Sequence, residues 1–170
     1  MFAEKPLLTA DEIAALPERR HVHQFNPNGV RQTRSLSDLL GMTHLGVHLV
    51  RLEPGRESTQ FHFHHQDEEF IYILAGRGVA TLGSQEYEVG VGDFMGFTAP
   101  SLPHKLHNPF DEDLVYLMCG ERNAIDVCDY PSIGKRMYRI NDAREAVDQD
   151  ALQSIGAPPA EPDAESELDG

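Results

Sequence analysis

The sequence contains no tryptophan, only two cysteines, and half as many basic as acidic residues. Cys119 and Cys128 form neither a disulfide framework nor a zinc pattern, and we expect two reduced, partly buried thiols. The formal net charge of −14 argues against nucleic acid or an anionic membrane as a partner. Surfaces that bind phosphate backbones require clustered Lys and Arg, which an acidic chain of this kind does not favour.

Long apolar runs are also missing. No stretch approaches the roughly 18 apolar residues that a membrane span needs. The N-terminal letters MFAEKPLLTADEIAAL lack the basic region and the apolar stretch of a signal peptide. We therefore expect a cytoplasmic protein with no membrane partner. A chain of 170 residues, 40% of them hydrophobic, is long enough for one domain with a sizeable core.

Residues 1–42 are predicted to form an N-terminal extension that begins with a short helix. Thr9 and Glu12 have the spacing of a capping box, which predicts a helix over LLTADEIAAL that ends at Pro17. After the helix, the letters FNPNGV indicate a loop.

Residues 43–120 are predicted to be a compact all-β domain. Short segments with strand character follow one another, separated by turn signals such as GRG, GVGD, APSLP and NPFDED, and no helical pattern lies between them. This arrangement is typical of an antiparallel sandwich or barrel. The predicted strands lie in THLGVHLVRLEPG, TQFHFHH, EFIYILAG, GVATLG, QEYEVG, DFMGFTA, PHKLHN and DLVYLMCG.

The C-terminal part has a different composition. Residues 121–141 are predicted to be a peripheral strand segment, and residues 142–170 an acidic tail. In that tail DAREAVDQDAL favours a helical turn or two, whereas GAPPAEPDAESELDG has little to bury and is expected to be disordered. We expect residues 1–42 and 121–141 to cover a sheet face or to exchange with a second subunit, and we therefore predict a homodimer.

The stretch QFHFHHQDEEF contains the most promising candidate site. Alternation along a strand places His62 and His64 on one face, with Phe61 and Phe63 on the other. Two imidazoles on one face can hold one metal ion, and Glu69, at the start of the next strand, can add a carboxylate. A bound cation would offset the cost of burying these polar groups, which is otherwise high.

A further ligand must come from elsewhere in the chain. His104 fits, because it follows a turn in PSLPHKLHN and begins a short alternating segment. Glu68 competes with Glu69 for the carboxylate role. His65 and His107 face away from their neighbouring ligands by alternation, and we expect both near the surface.

The spacing of these residues resembles the two motifs of the cupin superfamily. The first motif is matched by Gly55, His62, His64, Glu69 and Gly76, and the second by Gly92, His104 and Asn108. Glu69 is preferred over Glu68 because it lies at the family distance from Gly76. The sequence departs from the second motif where Pro100 and Ser101 replace the usual Pro-x-Gly turn. The flanking segments resemble small single-domain bacterial cupins, some of them provisionally called sugar-phosphate isomerases.

The resemblance implies a double-stranded β-helix, or jelly-roll barrel, with a metal ion bound inside it. The implied ligands are His62, His64, Glu69 and His104, and the implied cofactor is one divalent transition metal, Fe, Mn, Zn or Ni. The implied function is that of a metalloenzyme of isomerase, lyase or dioxygenase type acting on a small organic molecule. Two alternatives stay open: a cupin that binds or senses a small ligand without turnover, and a structural dimer with a vestigial site.

Two residues are candidates for acid–base chemistry. His48 is a candidate if its face of the strand is the inner one, and Tyr72 is a second candidate within an apolar strand. Lys105 is expected to point away from the metal if His104 points toward it, which argues against a phosphorylated substrate. Arg51 either reaches solvent at the strand end or lines the pocket.

Overall fold

The computed structural model describes residues 5–156. Its helices are Ala10–Ala15 (α1) and Leu36–Leu39 (α2), and two short 3-10 turns cover Pro131–Ile133 and Gln149–Ala151. The strands are Arg19–His23 (β1), Asn26–Ser35 (β2), Leu45–Leu52 (β3), Phe63–His64 (β4), Glu69–Ala75 (β5), Arg77–Leu82 (β6), Gln85–Gly90 (β7), Phe94–Phe97 (β8), His104–His107 (β9), Leu114–Glu121 (β10), Ile125–Tyr130 (β11), Lys135–Ile140 (β12) and Ala143–Asp148 (β13).

These strands form three antiparallel sheets, which confirms the all-β fold class. The largest sheet has the strand order β1-β2-β3-β10-β5-β8, the second β13-β12-β11-β4, and the third β7-β6-β9. The core lies between the inner faces of the first and third sheets, where alternate strand residues are apolar and buried. Its members are Val50, Leu52, Ile71, Ile73, Ala80, Val89, Met95, Phe97, Leu106, Leu114 and Tyr116.

The N-terminal helix is confirmed, with the predicted capping box. The Thr9 hydroxyl accepts from the Glu12 N–H at 3.3 Å, and the Glu12 carboxylate accepts from the Thr9 N–H at 2.6 Å. Helix α1 ends at Ala15, two residues before Pro17. No helix in the part of the chain that the structure describes is long and apolar enough to cross a membrane.

The predicted loop at FNPNGV is wrong, because it belongs to a hairpin of β1 and β2 that extends the six-stranded sheet. Strand β2 pairs with β3 from Gln32 opposite Arg51 to Ser35 opposite His48. One face of β2 has polar side chains with buried polar atoms, those of Arg31, Thr33 and Ser35. An ordinary core strand has apolar side chains at such positions. The alternation of hydrophobic residues that identifies a strand in sequence is therefore absent here.

The C-terminal segment also differs from its prediction. Residues 143–148 form strand β13, paired in register with β12, so the predicted helical turns in DAREAVDQDAL reduce to the 3-10 turn Gln149–Ala151. A left-handed Asn141 allows the tight turn between the two strands, and strand pairing outweighs the helical propensity of Ala and Glu. The predicted disorder of residues 157–170 lies outside the described residues.

Strand β4 connects the histidine segment to the C-terminal sheet. His64 stands opposite Cys128 and Phe63 opposite Asp129 in the pairing of β4 with β11. The C-terminal sheet therefore packs over one end of the barrel, at the place where the candidate ligands lie. Cys119 and Cys128 are both free and buried.

The side chain of Asn108 closes a loop at the opposite end of the barrel. It is fully buried, donates to the carbonyl oxygens of Leu52 at 2.9 Å and Glu112 at 2.8 Å, and accepts from the Phe110 N–H at 3.1 Å. We expect Asn108→Ala to lower the free energy of unfolding by about 3 kcal/mol, because it leaves buried backbone groups unpaired. Urea unfolding checks this value. Asn123→Ala, at an exposed position, is the control, and equal losses in the two variants would contradict the explanation.

Candidate metal centre

The four predicted ligands come together at one end of the barrel, and separate strands position them. His64 lies in β4, Glu69 is the first residue of β5, and His104 is the first residue of β9. His62 precedes β4 and is fixed by two backbone hydrogen bonds with His104, at 3.3 and 2.8 Å. The HxH spacing thus places the imidazoles of His62 and His64 side by side. The two backbone hydrogen bonds bring the imidazole of His104 against them.

All three imidazoles direct the same nitrogen toward Glu69. The Nε2 atoms of His62, His64 and His104 lie 3.9, 3.6 and 3.4 Å from Glu69 Oε2. The candidate ligand atoms of His62, Glu69 and His104 all lie within 4.8 Å of one another. Nitrogen and oxygen donors at this separation surround a volume of the size that one transition-metal ion requires.

The other imidazole nitrogens have fixed acceptors. His62 Nδ1 lies 2.9 Å from the carbonyl oxygen of Gln60, and His104 Nδ1 lies 3.4 Å from that of Leu102. His64 Nδ1 lies 2.6 Å from a carboxylate oxygen of Asp126. These acceptors favour the tautomer with the proton on Nδ1, which leaves the Nε2 lone pairs directed at one point, as metal-binding histidines require.

The charges of the cluster also suit a cation. Burial alone would raise the pKa of Glu69, but the three neighbouring imidazoles outweigh it and lower the pKa to about 2. Burial, followed by the charge of His104, lowers the pKa of His62 to about 3. Burial lowers the pKa of His64, yet Asp126 and Glu69 outweigh it and raise the net value. At neutral pH the cluster thus holds an ionised carboxylate, and a metal ion can replace the proton that His64 attracts.

Asp126 is a functional candidate that the sequence reasoning missed. It is 1% exposed, and besides holding His64 it accepts from the backbone N–H groups of Gln66 and Asp67 at 3.2 and 3.3 Å. It therefore orients both the histidine and the loop that leads to Glu69. The segment IDVCDY has an acidic residue next to apolar ones in a predicted strand, which could have indicated a buried acid. It lies far from the histidine motif in sequence, so nothing linked the two.

Two other groups of possible ligands surround this centre, and neither is a comparable site. In the group of His64, Asp67 and Asp126, the Asp67 carboxylate pairs with Arg139 at 2.6 Å, and Asp126 pairs with His64. In the group of His62, His64 and Cys128, burial raises the pKa of the Cys128 thiol to about 12, which disfavours the thiolate form that binds metal ions. The geometry and the charges favour the cluster around Glu69.

Two connected cavities surround the cluster. The inner cavity, about 240 Å³, contains all four predicted ligands in its wall. The outer cavity, about 950 Å³, leads to the surface between β3, β10 and the C-terminal sheet. Five side chains line the inner and the outer cavity alike: His64, Glu69, Met118, Arg139 and Arg144. Gly120 leaves room for the side chain of Glu69, because a Cβ there would lie 3.2 Å from the Cγ of Glu69.

His48 lies on the inner face of β3 and lines the outer cavity together with His64 and Glu69. Its Nδ1 is buried and has no hydrogen-bond partner among residues 5–156. Burial lowers the pKa of His48, and the charges of Arg122 and Arg31 add to this effect against the opposing charge of Asp38. The imidazole is therefore neutral at pH 7 and able to accept a proton.

Tyr72, the other acid–base candidate, needs correction. Glu69, Ile71 and Ile73 face inward along β5, so alternation turns Tyr72 outward, where it is 40% exposed. It lines neither cavity. The apolar residues around Tyr72 do not show which face of the strand is buried, because β5 also has exposed apolar residues on its outer face.

The remaining predicted positions divide into outward and half-buried residues. Glu68 is exposed, and Lys105 points away from the cluster, where it pairs with Glu57. Arg51 reaches the exterior, where it binds Glu18 and Asp113. His65, which was expected near the surface, is half-buried, and its Nε2 lies 3.0 Å from Asp129, which also holds Arg136.

The fold and the site together define a small antiparallel β-barrel with three histidines and one glutamate at one end. A family model described as a Cupin domain matches residues 48–120. The chain is also 41% identical to a protein of Acidithiobacillus ferrooxidans of known crystal structure, with a TM-score of 0.88, over 90% of this chain and 98% of that one. The chain therefore belongs to the cupin superfamily.

Two of these relatives have names that suggest an activity. The Acidithiobacillus protein is provisionally described as a sugar phosphate isomerase. A cupin of Silicibacter pomeroyi, described as a sugar phosphate isomerase, is 26% identical with a TM-score of 0.75, over 86% of this chain and 94% of that one. An uncharacterised protein of Methanocaldococcus jannaschii is 39% identical over 67 residues, which are 39% of this chain and 53% of that protein.

Proposed function

We propose that the protein is a divalent-metal-dependent isomerase that acts on a small phosphorylated sugar. The observation that carries this proposal is the convergence of three imidazole Nε2 atoms on the ionised Glu69, in the wall of a cavity open to small molecules. The names of two cupins similar over most of their length support the choice of reaction and substrate.

In the proposed enzyme His62, His64, Glu69 and His104 hold one ion of Fe, Mn, Zn or Ni. The ion, when bound, supplies a Lewis acid that polarises the carbonyl oxygen of the substrate. Asp126 keeps His64 in the tautomer and orientation that binding requires, through the contact at 2.6 Å.

His48 is the proposed general base. Isomerisation of an aldose to a ketose removes a proton from the carbon next to the carbonyl and returns one to the former carbonyl carbon, so no oxidant or reductant is consumed. A neutral imidazole with a buried, unpartnered nitrogen, in a cavity shared with Glu69, suits both transfers. Its place in the wall of the outer cavity, which His64 and Glu69 also line, supports this role.

The homodimer and the cytoplasmic location expected from the sequence stay predictions. The outer face of β5 and β8 leaves large apolar side chains exposed, Tyr72, Leu74 and Phe94 among them, and a second subunit would cover such a surface.

Isomerase activity is tested by solvent exchange. The metal-loaded protein is incubated in D₂O with a panel of aldose and ketose phosphates, and proton NMR follows deuterium at the carbon next to the carbonyl. We expect exchange and interconversion with at least one sugar phosphate, and loss of both after chelation. Tight binding without exchange across the panel would contradict the proposal and favour a non-catalytic binding module.

A further inference from the structure

The inner cavity contains arginines without acidic partners, although the protein has twice as many acidic as basic residues. Arg31 and Arg144 both line this cavity, and neither forms an ion pair within residues 5–156. Glu69 is the only acid among the residues that line it. The wall of this cavity thus has a positive excess, and a metal ion would increase it.

Arg31 is the more buried of the two arginines. One of its terminal nitrogens, Nη1, donates to the Ser58 carbonyl oxygen at 3.3 Å, but its Nε is buried with no partner in the described part of the chain. Tyr116, which lines the same cavity, is 0% exposed, and its hydroxyl also has no partner there. Buried donors without an acceptor are costly, and their occurrence in one cavity wall indicates a ligand that supplies acceptor atoms.

Arg144 and His21 lie on the same side of the cavity. His21 stands directly opposite Arg31 in the pairing of β1 with β2. Burial lowers the pKa of His21, and the charges of Arg31 and then Arg144 lower it further. Both arginines therefore lie close enough to His21 for their charges to act on it. The other arginine in the wall, Arg139, already pairs with Asp67 at 2.6 Å.

We propose that Arg31, Arg144 and the Tyr116 hydroxyl form a phosphate subsite in the inner cavity, which holds the phosphate group of the substrate beside the metal ligands. Two guanidinium groups match the charge of a phosphate dianion better than that of a single carboxylate, and the hydroxyl adds a neutral donor. The identity of the substrate as a sugar phosphate rests on the proposed function, whereas binding of phosphate by these residues does not.

This subsite would lie largely outside the segment that the family model matches. Arg31 belongs to β2 and Arg144 to β13, whereas the match covers residues 48–120. The barrel itself has four basic residues, and none of them lines either cavity. Arg51, Arg77 and Lys105 form ion pairs, and Arg56 donates to the side chain of Asn28. The flanking strands would therefore supply the substrate specificity that the barrel residues lack.

Calorimetric titration with inorganic phosphate tests the subsite in the metal-loaded, full-length protein. We expect Arg31→Gln and Arg144→Gln each to weaken phosphate binding by about 10-fold or more, and Tyr116→Phe to weaken it by a smaller factor. Arg20→Gln is the matched control, because it removes the same charge from an exposed position on the opposite face of β1, and it should bind phosphate like the unchanged protein. Metal content is measured in every variant.

Three results would overturn the assignment: no measurable phosphate binding, binding in both arginine variants equal to that of the unchanged protein, or an equal loss in Arg20→Gln. Arg144→Gln keeps the test valid if Arg31→Gln does not fold, because Arg144 is exposed. Titration with acetate should give weaker binding than phosphate, and the reverse order would contradict the choice of phosphate. Retained phosphate binding in a protein that exchanges no sugar with D₂O would support the subsite and contradict only the isomerase.

Discussion

Replacing Glu69 by glutamine is expected to lower the affinity for a divalent metal ion by about 100-fold or more. Loss of a residue that merely supports a ligand already costs about 10- to 100-fold, and Glu69 supplies the carboxylate oxygen on which three imidazole Nε2 atoms converge. The amide keeps the size of the side chain but removes the negative charge that attracts the cation. Competition titration with a chromophoric chelator measures the change.

Glu68→Gln provides the matched control for that experiment. It makes the same chemical change one residue away, at an exposed position outside both cavities. We expect it to bind metal like the unchanged protein. Equal affinity in the two variants would mean that Glu69 is not a ligand, and circular dichroism of both would exclude unfolding as the cause of a loss.

Replacing His48 by glutamine is expected to lower kcat for isomerisation by about 100-fold or more, with little change in KM or metal content. The glutamine amide can still make hydrogen bonds but cannot accept a proton at neutral pH. The imidazole has no ligand role in the proposed centre, so the metal should stay bound. Deuterium incorporation from solvent gives the rate of the proton transfer directly.

The control for His48 is His107→Gln, on strand β9. His107 is half-buried and lines neither cavity. We expect this variant to keep the unchanged kcat. A His48→Gln variant that exchanges at the unchanged rate would exclude His48 as the base, and a parallel loss of metal would show that it acts on the metal centre instead.

The sequence was most informative where residue spacing is fixed by strand geometry. Strands repeat every two residues, so the HxH spacing places His62 and His64 on one face, and the structure has both directed at Glu69. Gly76 in the motif has a comparable steric reason, because a Cβ there would lie 2.2 Å from the carbonyl oxygen of Asp113. The strand period is a local constraint that can be read from the sequence without knowing the fold, whereas the contact of Gly76 with Asp113 is visible only in the structure.

The parts that sequence could not predict depend on contacts between distant segments. Strand β2 was missed because its inner face is polar and lines the cavity, and β13 was missed because only its pairing with β12 makes it a strand. Asp126 reaches His64 from a strand 62 residues further along the chain. Arg31 and Arg144 join one cavity wall for the same reason, so the basic residues counted within the barrel gave the wrong impression of the cavity charge.

These distant contacts also indicate how the flanking strands serve the site. The barrel supplies the four predicted ligands and His48, whereas β2 and the C-terminal sheet supply Arg31, Asp126 and Arg144. A barrel trimmed to residues 48–120 would keep the four predicted metal ligands but lose all three arginines that line the inner cavity, Arg31, Arg139 and Arg144. The proposed chemistry therefore requires the chain beyond the cupin domain itself.

Elemental analysis by plasma mass spectrometry tests the central claim most directly. The protein is purified untagged and without chelator, and Fe, Mn, Zn and Ni are measured against protein concentration. The proposed centre predicts close to one divalent transition-metal ion per chain. Absence of metal, both as purified and after reconstitution with each of the four ions, would contradict the metal centre and the isomerase built on it.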